Sequence, residues 1–160
     1  MTEDSAILLV EDNEDDVIFM KHALRTAGVT NPLMVVGDGA KAVDYLAGHG
    51  VYADRARYPQ PAVVFLDLKL PFMMGHEVLA WIRQQSALEG LIVLVLTSSD
   101  EPSDVRRCYA LGANSYLVKP LSARQLLALA KALNWTWLKR KEDASPLAAK
   151  CGCPEEKAPA

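Results

Sequence analysis

Five residues able to do chemistry stand at the ends of short apolar runs. Glu11-Asp12 follow Ala6-Ile7-Leu8-Leu9-Val10, and Asp67 follows Ala62-Val63-Val64-Phe65-Leu66. Thr97 follows Leu91-Ile92-Val93-Leu94-Val95-Leu96, and Lys119 follows Ser115-Tyr116-Leu117-Val118. Three carboxylates brought together repel one another, and burial makes the repulsion worse. A hard divalent cation relieves it. Mg²⁺ takes oxygen ligands, needs one or two carboxylates and keeps several waters. Glu11, Asp12 and Asp67 against Lys119 and Mg²⁺ give a formally neutral site, suited to receiving a phosphoryl group. A carboxylate can itself be the nucleophile, and Asp67 is the natural candidate. Thr97 could donate a hydrogen bond to a phosphoryl oxygen, and Lys119 could pair with another.

Singly, each residue has a plainer reading: acids are common at strand ends, and a lone lysine or threonine means little. Asp15 and Asp16 read as charges favouring a helix N-terminus rather than as ligands. A calcium hand starting at Asp12 fails, because its sixth position is Val17 and not glycine. A dinucleotide domain fails because no Gly-x-Gly-x-x-Gly follows the first apolar run.

These residues need elements to position them. The runs 6–10, 33–36, 62–66, 91–96 and 115–118 read as strands. Between them, helices are predicted from Asp15-Asp16 to Ala27, over Ala42–Ala47, over Gly75–Gln85, and from Pro102 to about Leu111. A last helix is capped by Ser122, with Leu126, Leu129, Ala130, Leu133 and Trp137 as one stripe. On that helix Trp135, two residues from Trp137, points outward. His49 to Pro61 reads as a loop. Strand-helix alternation implies an α/β doubly wound parallel sheet. The flavodoxin-like order 2-1-3-4-5 puts the switch point between strands one and three, the two that carry the acids.

The 160 residues are 51% hydrophobic, with a net charge of −3. That length suits one domain, here residues 1–138 with a flexible tail over 139–160. The charge argues against nucleic-acid binding. No apolar run is long enough to span a membrane, and the acidic start Met1-Thr2-Glu3-Asp4-Ser5 is unlike a secretory signal. A cytoplasmic protein is expected. Cys108, Cys151 and Cys153 form no disulfide framework, and Cys151-Gly152-Cys153 lacks the four ligands of a closed zinc site.

With these pieces in order, the chain resembles the receiver domain of two-component response regulators. The matching segments are Ile7 to Asn13, Leu66-Asp67-Leu68-Lys69-Leu70-Pro71 with Gly75, Leu96-Thr97-Ser98, and Tyr116-Leu117-Val118-Lys119-Pro120. The resemblance implies that Asp67 is the phosphoacceptor, and that Glu11, Asp12, Asp67 and the backbone carbonyl of Lys69 hold Mg²⁺, with Mn²⁺ as a substitute. It also implies that Thr97 and Tyr116 are the switch pair, that Lys119 contacts the phosphoryl group, and that the Lys119-Pro120 bond is cis. Such a protein is no conventional enzyme. It takes phosphate from a sensor histidine kinase and signals through its fourth helix, fifth strand and fifth helix, a face that can also form a homodimer. The segment 49–61, Gly75-His76-Glu77-Val78-Leu79 and Trp135-Thr136-Trp137-Leu138 resemble small regulators that partner bacterial phytochrome kinases. Lys69 and Ser99, two residues after Asp67 and Thr97, occupy positions that tune phosphate lifetime in the family. Lys69 also stands where aspartyl-phosphate phosphatases commonly carry a second acid. Phe72-Met73-Met74 is either a partner-binding patch or tucks inward. Outward Trp135 is a candidate dimer contact. The residues after Leu138 are too few for a usual DNA-binding module, and Lys139-Arg140-Lys141 reads as a cationic helix end. The competing reading is a receiver-fold binding module that no longer needs phosphorylation.

Overall fold

The structure is a computed structural model in which residues 5–141 are described. The elements are β1 (Ala6–Val10), α1 (Glu14–Thr26), β2 (Leu33–Val36), α2 (Gly39–Ala47), β3 (Pro61–Leu66), α3 (Gly75–Gln84), β4 (Ile92–Thr97), α4 (Pro102–Ala110), β5 (Ser115–Val118) and α5 (Ala123–Ala132). The sheet order is β2-β1-β3-β4-β5 with every pair parallel, the predicted flavodoxin-like α/β fold.

The central strands β1, β3 and β4 are buried almost throughout because both sheet faces are covered there, while the edge strands β2 and β5 are only partly buried. Alternate residues divide between two cores. Leu8, Val10, Val64, Leu66, Val93 and Val95 pack with α2 and α3 residues such as Tyr45, Leu46, Leu79 and Ile82. Ile7, Leu9, Val63, Phe65, Leu94 and Leu96 pack with Met20 and Leu24 of α1 and Leu126 of α5. Helix starts follow local chemistry. Asn13, Asp38 and Ser122 cap α1, α2 and α5 through side-chain oxygens. The segment 49–60 contains one 3₁₀ turn, Gly50–Ala53. Arg55 fastens it by donating to the carbonyls of Tyr45 and Leu46 at the end of α2. No helix among the described residues is long and apolar enough to cross a membrane.

Two expectations for the C-terminal region are corrected. The helix α5 stops at Ala132, and Asn134 adopts φ of 54°, so Trp135 and Trp137 lie beyond it. The 100° rotation per helical residue therefore says nothing about them. Trp135 is buried, not outward. Its ring stacks on Trp137 with centroids 5.1 Å apart and meets Phe65 edge-on, which removes Trp135 as a dimer contact. Nor do Lys139-Arg140-Lys141 end the last helix, which stops at Ala132. Arg140 pairs antiparallel with Val29, and Thr30 N–H donates to the Lys139 carbonyl. The buried Asn31 amide donates to the carbonyls of Ser5 and Trp137 and accepts from Lys139 N–H. These three residues are thus fastened to the turn between α1 and β2. Cys151-Gly152-Cys153 and the rest of 142–160 lie outside the described residues.

Trp135→Ala is expected to lose about 3–5 kcal/mol of unfolding free energy in a urea melt, as for a buried aromatic. A loss below about 1 kcal/mol would contradict its place in the core.

Candidate functional site at the carboxyl edge of the sheet

The backbone ladder continues past the strand ends and fixes the residues there. Glu11 N–H donates to the Val36 carbonyl, Asp67 N–H to Val10, and Lys119 N–H to Thr97. The start of α3 closes against this edge. A Cβ on Gly75 would sit 2.2 Å from the Asp67 carbonyl oxygen, so only glycine lets that helix approach so closely. The Lys119-Pro120 bond is cis, as expected.

The side chains meet at one ammonium group. Lys119 Nζ lies 2.6 Å from Glu11 Oε1, 2.8 Å from Asp16 Oδ2 and 3.0 Å from Asp67 Oδ2. Glu11 is nearly inaccessible, and its second oxygen accepts from Asn13 N–H at 3.2 Å. Burial, and next the neighbouring Asp67 charge, outweigh Lys119 and push the Glu11 carboxyl up from 4.5 to about 7. Burial alone would lower the lysine. Hydrogen bonds to Asp16, Glu11 and Asp67 overcome that and hold it well above its ordinary range.

Glu11, Asp12 and Asp67 each offer an oxygen within 4.8 Å of the others, with Asp12 exposed and the other two buried. This all-oxygen set, gathered from three carboxylates, suits a hard divalent cation. Lys69 is exposed, and its N–H makes a long 3.4 Å contact to Asp67 Oδ1, which sets that peptide beside the carboxylate. Thr97 is completely buried, yet its hydroxyl has no hydrogen-bond partner among the described residues. A buried hydroxyl left unpaired costs about 1–3 kcal/mol. Tyr116 is half-buried opposite Val95, and its hydroxyl donates to the Ser99 carbonyl. Ser99 Oγ donates in turn to Asp104 Oδ2 at 2.7 Å, tying the loop after Thr97 to α4.

The structure thus brings together Glu11, Asp12, Asp67, Lys69 and Lys119, with Thr97 at the end of the adjoining strand. It adds Asp16, which sequence reading assigned only to the helix terminus. The missed signal was its place four residues after Asp12, on the helix turn that leaves the site. The triplet Phe72-Met73-Met74 divides. Met73 packs against the α2/α3 core, while Phe72 is 90% exposed at a φ of 66°.

Glu11 has a pH consequence. Its carboxyl binds a proton more tightly folded than unfolded, so its contribution to stability is complete below pH 4.5 and lost as pH rises through about 7. In melts without metal across that window, the parent is expected to lose stability more steeply than Glu11→Gln. Parallel curves would contradict the assignment.

A family model for the response regulator receiver domain matches residues 7–131. Response regulator Rcp1 from Synechocystis sp. is 36% identical over 132 residues, covering 82% of this chain and 88% of Rcp1. The crystal structure of its Mn²⁺-bound form matches with a TM-score of 0.68, over 84% of this chain and 95% of that one. The bacteriophytochrome response regulator RtBRR shares 42% identity with a TM-score of 0.76, over 89% of this chain and 84% of its own. The phosphorylated cyanobacterial phytochrome response regulator RcpA shares 34% with a TM-score of 0.69, over 83% and 93%. The chain belongs to the receiver-domain family of two-component response regulators, signalling proteins rather than conventional enzymes, and is similar to small phytochrome response regulators.

Proposed function

We propose that this chain is a phosphorylation-driven switch whose phosphate is carried on Asp67. The observation that carries the reading is the Asp67 carboxylate at a buried strand end, held at 3.0 Å by Lys119 beside a second buried acid. An Asp67 oxygen attacks phosphorus. The new O–P bond forms as the P–N bond to a phosphohistidine breaks, and the electron pair returns to the imidazole. The donor is a sensor histidine kinase of phytochrome type. That part rests on the similarity to Rcp1, RcpA and RtBRR.

Glu11, Asp12, Asp67 and the Lys69 carbonyl would hold Mg²⁺, or Mn²⁺ as in the Rcp1 crystal structure. The bound ion supplies neutralisation of charge on the phosphoryl oxygens. Lys119 pairs with one of those oxygens. The Thr97 hydroxyl, unpartnered in its buried place, donates to another. Thr97 moves toward the phosphate, and Tyr116 leaves the Ser99 carbonyl to turn inward behind it. The chain Tyr116–Ser99–Asp104 carries that change to α4. The α4–β5–α5 face then meets a protein partner or a second copy. Tyr109 of α4 and Val118 of β5 are exposed large apolar residues on these elements.

Mass spectrometry after incubation with acetyl phosphate tests this; there the broken bond is P–O and acetate leaves. The parent is expected to gain one phosphoryl group when Mg²⁺ is present and none when it is withheld, and Asp67→Asn none in either case. An unlabelled parent, alongside a receiver that does label, would favour a phosphorylation-independent binding module.

A further inference from the structure

An ammonium group has three N–H donors, and all three of Lys119 are engaged by Glu11, Asp16 and Asp67. With Asp67 Oδ2 held by Lys119, Oδ1 is the oxygen left to take the phosphoryl group. A phosphoryl oxygen is then a fourth acceptor beside Glu11, Asp16 and the remaining Asp67 carbonyl, so one partner must leave before Lys119 can bind it.

The three partners are not equivalent. Glu11 and Asp67 follow sheet strands, with side chains 2% and 8% exposed, and Glu11 is also fastened to Asn13 N–H. Asp16 is 28% exposed and lies in the first turn of α1. Returning its carboxylate to water is the least costly release, since partly exposed pairs contribute little and buried ones are expensive to break.

Local geometry explains why Asp16 reaches the site. It is the third helical residue after the cap Asn13, and its N–H donates to Asn13 Oδ1. In a capping box the acid at this position turns back to the cap's N–H. Here Glu11 already holds that N–H, which leaves the Asp16 carboxylate to bind Lys119.

We propose that Asp16 holds Lys119 in the unphosphorylated protein and surrenders it to the phosphoryl oxygen. The first turn of α1 thereby responds to the state of the site. The inference rests on the reading of Asp67 as phosphoacceptor. Asp16 is then a positioning residue that restrains the switch, because its charge both occupies the lysine and opposes an incoming anion.

The test compares the parent with Asp16→Asn and Asp16→Ala. Labelling by acetyl phosphate with Mg²⁺ is followed in time by mass spectrometry. Amide hydrogen exchange over the first turn of α1 is measured in the parent and Asp16→Asn, with and without beryllofluoride, which mimics a phosphoryl group on an aspartate. Asp16→Asn is expected to label about fivefold faster, the equivalent of a pair contribution near 1 kcal/mol. The parent's first α1 turn is expected to lose protection when beryllofluoride is added, and the variant's to stay unchanged. A structural role alone would slow labelling or leave it unaltered. Labelling of both variants at or below the parent rate, or an α1 turn in the parent indifferent to beryllofluoride, overturns the inference while leaving Asp67 as phosphoacceptor. An unlabelled parent overturns both.

Discussion

The Lys119 ammonium is the interaction on which the candidate site depends. It arrives from the end of β5 and meets carboxylates from the ends of β1 and β3 and from the first turn of α1. Replacing a buried ion pair by apolar side chains often leaves stability unchanged or better, whereas removing one partner is severely destabilising. The cluster is therefore poorly explained as a device for stability. It gathers three negative groups, Glu11, Asp16 and Asp67, within reach of one another around a single ammonium.

That placement needs the whole sheet. Parallel strands put their carboxyl ends on one edge, and ladder bonds running beyond β1, β3 and β5 hold Glu11, Asp67 and Lys119 in register. Gly75 lets α3 close onto the Asp67 backbone. Two apolar cores cover the two faces of the sheet, and the stacked Trp135–Trp137 pair belongs to the α1/α5 side.

Much of this was legible in the sequence because it rests on local patterns. Continuous apolar runs closed by polar residues mark all five strands, and the candidate site residues close four of them, the exception being β2. What was not legible came from events beyond a single element. Helical periodicity does not reach Trp135, because α5 ends at Ala132 and Asn134 turns the chain. Lys139 to Lys141 looked like the start of a polar tail, yet their backbones pair with the turn after α1, a contact between segments over a hundred residues apart. Asp16 looked like an ordinary helix-terminus charge. Its partnership with Lys119 follows from Glu11 having taken the cap's N–H, a competition that no linear pattern displays.

Phosphate carried on Asp67 can be read out directly. Reduction of labelled protein with borohydride converts an aspartyl phosphate to homoserine, which peptide mass spectrometry then locates. Phosphate on Asp67 gives homoserine at position 67 and at no other aspartate. Homoserine at another aspartate, or none from a protein that carries phosphate, would contradict it.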